Sequence, residues 1–191
     1  AASAVLAVTN QHMCGVGGDL WALVHVPGEP KPFALNASGH SGSGADIAGL
    51  ERDGLVEMPF HKDPRSIPIP GCVDGWLALH ERFGSLPLRE VLADAIDLAI
   101  DGFPISAECV QATKLLTEID NTQDYFANGS PQVGQLIRRA KLGETLRELA
   151  NDGRESFYLG KFGEELLSFG AGEYTIEDLQ TTQADWVEPL S

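Results

Sequence analysis

The segment from residue 10 to residue 26 constrains the fold most, because it places three glycines directly before an apolar run. Gly15, Gly17 and Gly18 lack a Cβ, so the backbone can adopt positive φ angles or approach another segment closely. Residues 20–26 are rich in β-branched and aromatic side chains, as buried strands are. The pattern predicts a tight turn into a core strand. Such turns also pass close to ligands in many proteins, so a purely structural role and a ligand-binding role both stay open.

The glycine turn does not match a phosphate-binding loop. A Walker loop requires a Lys and a hydroxyl residue after its second glycine, whereas Gly18 is followed by Asp19 and Leu20. The dinucleotide fingerprint places its glycines between a strand and a helix, and here they precede a strand. Asp19 would also repel a phosphate. We therefore predict no nucleotide and no other cofactor.

The charge of the chain excludes several classes of partner. It contains 28 acidic and 13 basic residues, a formal net charge of −15. Nucleic acids and anionic membranes both require a basic face, so we predict neither as a partner. Cys14, Cys72 and Cys109 are too far apart for a Cys-x-x-Cys motif, and no histidine pair has helical ligand spacing. We predict no metal site.

Two apolar runs after the turn predict a β-hairpin. Residues 20–26 and 32–36 are separated by Pro-Gly-Glu-Pro-Lys, of which Pro-Gly-Glu-Pro is a composition typical of turns. From Ala45 onward the apolar residues recur at helical spacing. We predict roughly six helices there, over residues 46–52, 73–83, 88–101, 106–119, 142–152 and 157–169. Ser106 is a predicted N-cap, and Thr175 is predicted to form a capping box with Asp178.

These elements predict an α+β fold that is mostly helical with an N-terminal β-hairpin. Residues 1–8 resemble the second half of an amphipathic helix, which indicates a piece of a longer protein. We interpret residues 1–191 as a single incomplete domain. Residues 1–44 contain the helix end, the hairpin and a small-residue loop, and residues 45–191 form the helical region. A loop at a strand end is either a functional segment or a plain connector.

Seven short motifs occur in a fixed order along nearly the whole chain. They are Gly-Val-Gly-Gly at 15–18, Ile-Pro-Gly-Cys-Val-Asp-Gly at 69–75, Phe-Gly-Ser-Leu-Pro at 83–87, Gly-Phe-Pro-Ile-Ser at 102–106, one motif made of two glycine-containing segments at 143–146 and 153–160, Tyr-Thr-Ile-Glu-Asp-Leu at 174–179 and Glu-Pro-Leu-Ser at 188–191, where a further strand is expected. The chain thereby resembles the large-subunit region of the gamma-glutamyltransferases.

This resemblance implies part of an αββα N-terminal-nucleophile hydrolase. Such a precursor cuts itself, and the new N-terminal Thr of the small subunit becomes the nucleophile with its own amine as base. The implied activity is gamma-glutamyl transfer, or hydrolysis of gamma-glutamyl or related small-molecule amides such as glutathione conjugates. The implied partner is the small subunit of the same precursor. No catalytic residue is expected in this chain, because Thr181 and Thr182 are followed by Gln183 and read as a helix terminus.

The loop after the hairpin departs from the usual family pattern. Typical members carry an Arg whose planar fork binds the substrate carboxylate, and Ser38 stands at that position. A divergent branch that includes oxamate amidohydrolase-like proteins carries Asn-x-Ser-Gly-Arg, and this chain has Asn-Ala-Ser-Gly-His over residues 36–40. The resemblance therefore implies Ser38 and His40 as substrate-binding residues. A solvent-facing loop histidine is the alternative for His40.

A different class of function remains open from the sequence. The alternative is a non-catalytic binding or interaction module, a helical domain that recruits a partner through an exposed face. Self-cleavage of the complete protein separates the two classes, because only the enzyme requires it.

Overall fold

A computed structural model describes residues 1–59, 63–116, 119, 122–126 and 129–189. The helices are α1 (Ala2–Thr9), α2 (Ile47–Arg52), α3 (Cys72–Phe83), α4 (Leu88–Asp101), α5 (Ala107–Ala112), α6 (Gln123–Phe126), α7 (Ala140–Asp152), α8 (Arg154–Tyr158), α9 (Lys161–Phe169) and α10 (Ile176–Gln180). The strands are β1 (Leu20–Val24), β2 (Phe33–Ala37), β3 (Phe103–Pro104), β4 (Leu136–Ile137) and β5 (Asp185–Val187). The predicted α+β class is confirmed. Within the described ranges, no helix combines the length and the apolarity needed to cross a bilayer.

The predicted hairpin is present, in the register Leu20 with Ala37 through Val24 with Phe33. β5 pairs antiparallel with the other side of β2, so the sheet order is β1-β2-β5. We expected a strand at residues 188–191, and this expectation is wrong in its position. The strand ends at Val187, residues 188–189 follow it, and residues 190–191 lie outside the described part of the chain.

Several predicted local features need correction. None of the three glycines in the N-terminal turn adopts a positive φ, and a Cβ on Gly15 or Gly17 would meet open space. The predicted helix over residues 106–119 is α5 followed by a short 3-10 turn, Thr113–Leu116, and Ile119 is 44% exposed. Residues 117–118 of that prediction are not described. The predicted helix over residues 157–169 is two helices, α8 and α9.

The described chain divides into two compact units. The first comprises Ala1–Val16 and Leu86–Gly153, and in it α4 packs against α1 and α7. Its buried apolar residues recur at helical spacing, as an amphipathic face requires: Ala4, Ala7 and Val8 in α1, Leu92, Ala95, Ile96 and Ala99 in α4, and Leu146 and Leu149 in α7. The interpretation of residues 1–191 as one incomplete domain stays a prediction.

The second unit, Gly17–Ser85 with Arg154–Ser191, contains the three-stranded sheet. Helix α3 covers one face of this sheet, where Phe83 contacts the rings of Phe33 and Trp186 at centroid distances of 5.6 and 5.8 Å. Trp21 and Leu23 point to the opposite face and are 65% and 72% exposed. The segment predicted as a buried core strand is therefore covered on one face only within the described residues, and this prediction is corrected.

The exposed hairpin face leads to a prediction about local stability. In a dilute monomer we expect amide hydrogens of β1 to exchange faster than those of residues 91–99 in α4. An edge strand with one uncovered face opens easily, whereas α4 buries Leu92 and Ala95 almost completely. Hydrogen exchange followed by mass spectrometry measures both segments in one sample. A dilution series controls for self-association, and slower exchange in β1 at the lowest concentration would contradict the prediction.

Candidate functional site

The loop at residues 38–44 leaves β2 and passes so close to neighbouring backbone that glycine is required at three points. At one of them, Gly44, a Cβ would overlap the carbonyl oxygen of Gly172. Gly39 has φ +82°, and a Cβ there would overlap the carbonyl oxygen of Ile69. A Cβ on Gly42 would overlap the carbonyl oxygen of Glu173. Only glycine tolerates this proximity, and at Gly39 also the left-handed backbone. The sequence of the 38–44 loop therefore encodes its path and not merely its flexibility.

Hydrogen bonds fix the 38–44 loop along its length. The Ile69 amide donates to the carbonyl of His40 at 2.9 Å, and the His40 amide donates to Gln183 Oε1 at 2.8 Å. The amide and the hydroxyl of Ser43 both donate to Asp178 Oδ2 at 2.9 Å. Partial burial acts to raise the pKa of Asp178, but hydrogen bonds from Ser43 and Thr175 outweigh it and lower the pKa below its usual value. Asp178 is thus a charged acceptor that anchors the loop at neutral pH.

Gln183 connects the 38–44 loop to the interior of its unit. Its side chain is 2% exposed, and every polar group on it has a partner. Besides accepting the His40 amide, it donates from Nε2 to the carbonyls of Thr181 and Asp178 at 2.9 and 3.2 Å. Its backbone amide donates to Asp74 Oδ2 at 2.7 Å. A buried amide satisfied on all sides holds a single conformation, so Gln183 sets the position of His40.

The other end of this connection is a buried ion pair. Asp74, on α3, is 3% exposed and accepts two hydrogen bonds from Arg154, Nε to Oδ1 at 2.9 Å and Nη2 to Oδ2 at 3.0 Å. The guanidinium also donates to the carbonyls of Leu179, Gln180 and Thr181. The guanidinium therefore links the C-terminal end of α10 to α3, just before Gln183.

Tyr158 completes the cluster under the guanidinium. Its ring lies 4.3 Å from Arg154 Cζ, and its hydroxyl donates to the carbonyl of Pro70 at 2.6 Å. Burial raises the pKa of Tyr158 well above its usual value, so the hydroxyl stays protonated. The three cluster residues Asp74, Arg154 and Tyr158 were not singled out from the sequence. The available signal was Asp74 itself, a charge within an otherwise buried motif, which demands a partner.

The two residues predicted to bind substrate lie at the start of the 38–44 loop, which this hydrogen-bond network holds through Gln183. Ser38 is half-buried, and its amide donates to Asn36 Oδ1 at 3.1 Å. His40 is exposed, and its Nε2 lies 3.4 Å from Asp185 Oδ2 on β5. Both side chains of this pair are about half accessible, 51% and 53%. The pairing of His40 with an acid was not predicted, because the two residues are far apart in sequence.

The structure also describes Thr181 and Thr182. Thr181 is the C-cap of α10, and its hydroxyl donates to the carbonyl of Glu177 at 3.0 Å. The Thr182 hydroxyl accepts the Ala184 amide at 3.3 Å. The interpretation of Thr181 and Thr182 as a helix terminus is confirmed. Among the described residues, no group of three or more His, Cys, Asp or Glu side chains is placed to hold a metal ion.

The fold just described is shared with solved N-terminal-nucleophile hydrolases, and the sequence comparison gives the family. The profile of the gamma-glutamyltranspeptidase family matches residues 1–191, so the chain belongs to that family. It is 34% identical to the glutathione hydrolase-like YwrD proenzyme of Bacillus subtilis and 36% identical to the oxamate amidohydrolase proenzyme of Klebsiella pneumoniae. Each alignment covers 100% of this chain and 38% of the relative.

Solved structures agree with this assignment. The gamma-glutamyltranspeptidase of Pseudomonas nitroreducens complexed with L-DON matches with a TM-score of 0.84 and 28% identity, over 98% of this chain and 57% of that one. The cephalosporin acylase of Bacillus halodurans matches with a TM-score of 0.85 and 29% identity, over 98% and 38%. The predicted resemblance and fold are confirmed, and the chain spans about two fifths of the length of the relatives named above.

Proposed function

We propose that this chain is the large-subunit part of a gamma-glutamyltransferase-like enzyme that transfers or hydrolyses the acyl group of small-molecule amides. The observation that supports the proposal most is the family match over residues 1–191. Two of the relatives are proenzymes by name, a glutathione hydrolase-like protein and an oxamate amidohydrolase. The substrate class proposed here, gamma-glutamyl and related amides including glutathione conjugates, covers both.

In this proposal the nucleophile comes from the remainder of the precursor. An N-terminal Thr of the small subunit attacks the amide carbonyl, and its own amine accepts the hydroxyl proton and passes it to the leaving amine. Water or an acceptor amine then releases the acyl group. Donors for the oxyanion also belong to the small subunit. The part assigned to this chain is substrate binding by Ser38 and His40 on the rigid 38–44 loop.

The exposed face of the sheet supports a small subunit as partner. Trp21, Leu23 and Val187 are 65%, 72% and 46% exposed on strands whose other face is covered by α3. Within the described residues, β1 and β5 each pair with β2 alone. An apolar sheet face and two open edges are unfavourable in water. The chain spans 38% of each named relative, so in this proposal the remaining part of the precursor covers the face.

Self-cleavage of the complete protein distinguishes the proposed enzyme from the alternative, a non-catalytic interaction module. We expect intact-mass analysis to show two fragments, and N-terminal sequencing of the smaller one to begin with Thr. An electrophilic glutamine analogue should label that fragment once, and replacing the Thr by Ala should abolish both cleavage and labelling. A complete protein that stays in one piece and takes up no label would overturn the proposed enzyme.

The role proposed for His40 predicts the effect of a permanent charge. In the complete protein, His40→Arg should lower the Michaelis constant for gamma-glutamyl p-nitroanilide. A charge-assisted hydrogen bond contributes roughly 1.5–3 kcal/mol against roughly 1 for a neutral one. Because His40 is half exposed, we expect an effect of about three- to tenfold.

Steady-state kinetics measures the effect of His40→Arg. The matched control is Ser41→Arg, which adds the same charge to the next exposed position of the loop. An equal gain in both variants would indicate a general electrostatic effect. An unchanged Michaelis constant in His40→Arg would remove His40 from the site and leave it as a solvent-facing residue.

A further inference from the structure

The charge environment of the 38–44 loop differs from what a carboxylate-binding site requires. Residues 36–46 contain no Lys or Arg. The one titratable side chain among residues 38–44, His40, has an acid as its partner, with Nε2 3.4 Å from Asp185 Oδ2. In this chain both side chains are about half accessible. Asp185 begins the edge strand β5 opposite Asn36, at the end of the uncovered sheet face that adjoins the loop, so a ligand that reaches His40 at this end also reaches Asp185.

Neighbouring structure holds both members of this pair in place. The backbone of His40 is bonded to Gln183 and Ile69, as described above. Asp185 lies in the ladder opposite Asn36, the residue that leads into the loop. The next residue of β5, Trp186, packs against Phe83 and lies 4.4 Å from the Arg82 guanidinium. The proximity of His40 and Asp185 therefore follows from two fixed backbones.

The arginines of this unit discussed here have other partners. Arg82 lies over the ring of Trp186, whose side chain points to the sheet face opposite that of Asp185. Arg154 binds the two carboxylate oxygens of Asp74 and three carbonyls. Arg65 binds Asp63 and Asp53. A carboxylate that approached His40 would have to displace Asp185 from the imidazole or remain beside a like charge, and both alternatives are unfavourable.

We propose that Asp185 is a specificity-determining residue that selects against a substrate carboxylate at this loop. It occupies the imidazole of His40 and presents a carboxylate oxygen to the substrate. The favoured group at this position is one that can donate a hydrogen bond, a carboxamide or an ammonium. The inference rests on the proposed function and narrows its substrate class to amides whose acyl part is uncharged or positively charged where it meets the loop.

The test compares a matched pair of substrates in the complete protein. One is gamma-glutamyl p-nitroanilide, and the other is the same compound with its α-carboxylate converted to a primary amide. We expect Asp185→Asn to raise the ratio of kcat/KM for the acid over that for the amide by about three- to tenfold. Asparagine keeps the shape and one acceptor oxygen while it removes the charge. Asp185→Ala, which also frees the imidazole, should raise the ratio at least as much.

Glu188→Gln is the matched control. It removes one negative charge three residues further on, from an exposed side chain whose partner is Lys31 at 3.9 Å. We expect it to leave the ratio unchanged. An unchanged ratio in both Asp185 variants, or the same rise in Glu188→Gln, would overturn the inference.

Ligand binding separates this inference from the proposed function. Calorimetric titration of the complete protein with glutamate and with its α-amide measures the same preference without turnover. If neither anilide is hydrolysed, the proposed function fails, while the change in the binding ratio on Asp185→Asn still decides the role of Asp185. Unchanged binding ratios would overturn that role.

Discussion

The 191-residue chain, produced alone, will hydrolyse gamma-glutamyl p-nitroanilide no faster than buffer does. The chemistry proposed for the complete protein needs a Thr hydroxyl next to a free α-amine at a new N-terminus. Thr181 and Thr182 are internal, and each hydroxyl has a local backbone partner at the end of α10. Without the nucleophile the reaction loses most of an enzymatic acceleration, which is typically a factor of ~10⁶ or more.

Release of nitroaniline, followed by absorbance, measures this prediction. The complete protein at equal concentration is the positive control, and the chain with Thr181→Ala and Thr182→Ala is the matched negative control. Contaminating host enzymes would disappear on repurification. Turnover by the chain alone that persists through repurification, with one covalent label per chain, would contradict both the prediction and the proposed division of labour between subunits.

Local features of the fold were predictable because their causes are local. The Ser106 side chain accepts the Cys109 amide, and Thr175 forms the capping box with Asp178, as their sequence positions indicate. The apolar stripe of α4 follows from its 3.6-residue period. The hairpin follows from two apolar runs around a Pro-Gly turn.

Elements stabilised by distant partners were not predictable in the same way. β5 has only three residues, and its place in the sheet depends on β2, about 150 positions earlier in the chain. Three residues carry no periodic signal, so the strand was expected a few positions too late. The helix expected over residues 106–119 has a suitable apolar spacing, but it changes to a 3-10 turn at Thr113. Tertiary contacts override such local preferences.

The candidate site likewise combines features with local causes and features that depend on distant partners. Ser38 and His40 stay a prediction that follows from the order of motifs, which placed the loop. The glycines at positions 39, 42 and 44 fix the path of that loop. The residues that hold the loop come from other parts of the chain. Asp74 meets Arg154 across 80 positions, and His40 meets Gln183 across 143. A single sequence does not show which distant positions contact each other, although a buried Asp does predict that some partner exists.

The second large effect concerns this buried ion pair. Asp74→Ala should destabilise the unit that contains the sheet by about 3–5 kcal/mol, because it leaves a partly buried guanidinium without its counter-ion. The Arg154 side chain is 24% exposed and cannot leave for solvent without giving up three carbonyl partners. The Gln183 amide also loses its acceptor. The double replacement Asp74→Leu with Arg154→Leu removes both charges. It should lower the free energy of unfolding by less than the sum of the two single replacements.

Urea unfolding followed by tryptophan fluorescence measures this effect selectively, since Trp21, Trp76 and Trp186 all belong to the unit that contains the sheet. We expect the midpoint for Asp74→Ala to fall by about 1–3 M urea, or that unit to be unfolded from the start. The matched control is Glu188→Ala, whose partner Lys31 is 3.9 Å away in an exposed pair, and its midpoint should hardly change. Equal shifts in the two variants would show that burial of the Asp74 pair contributes nothing. A large shift in Asp74→Ala alone would show that the buried pair, which also accepts the Gln183 amide, stabilises this unit.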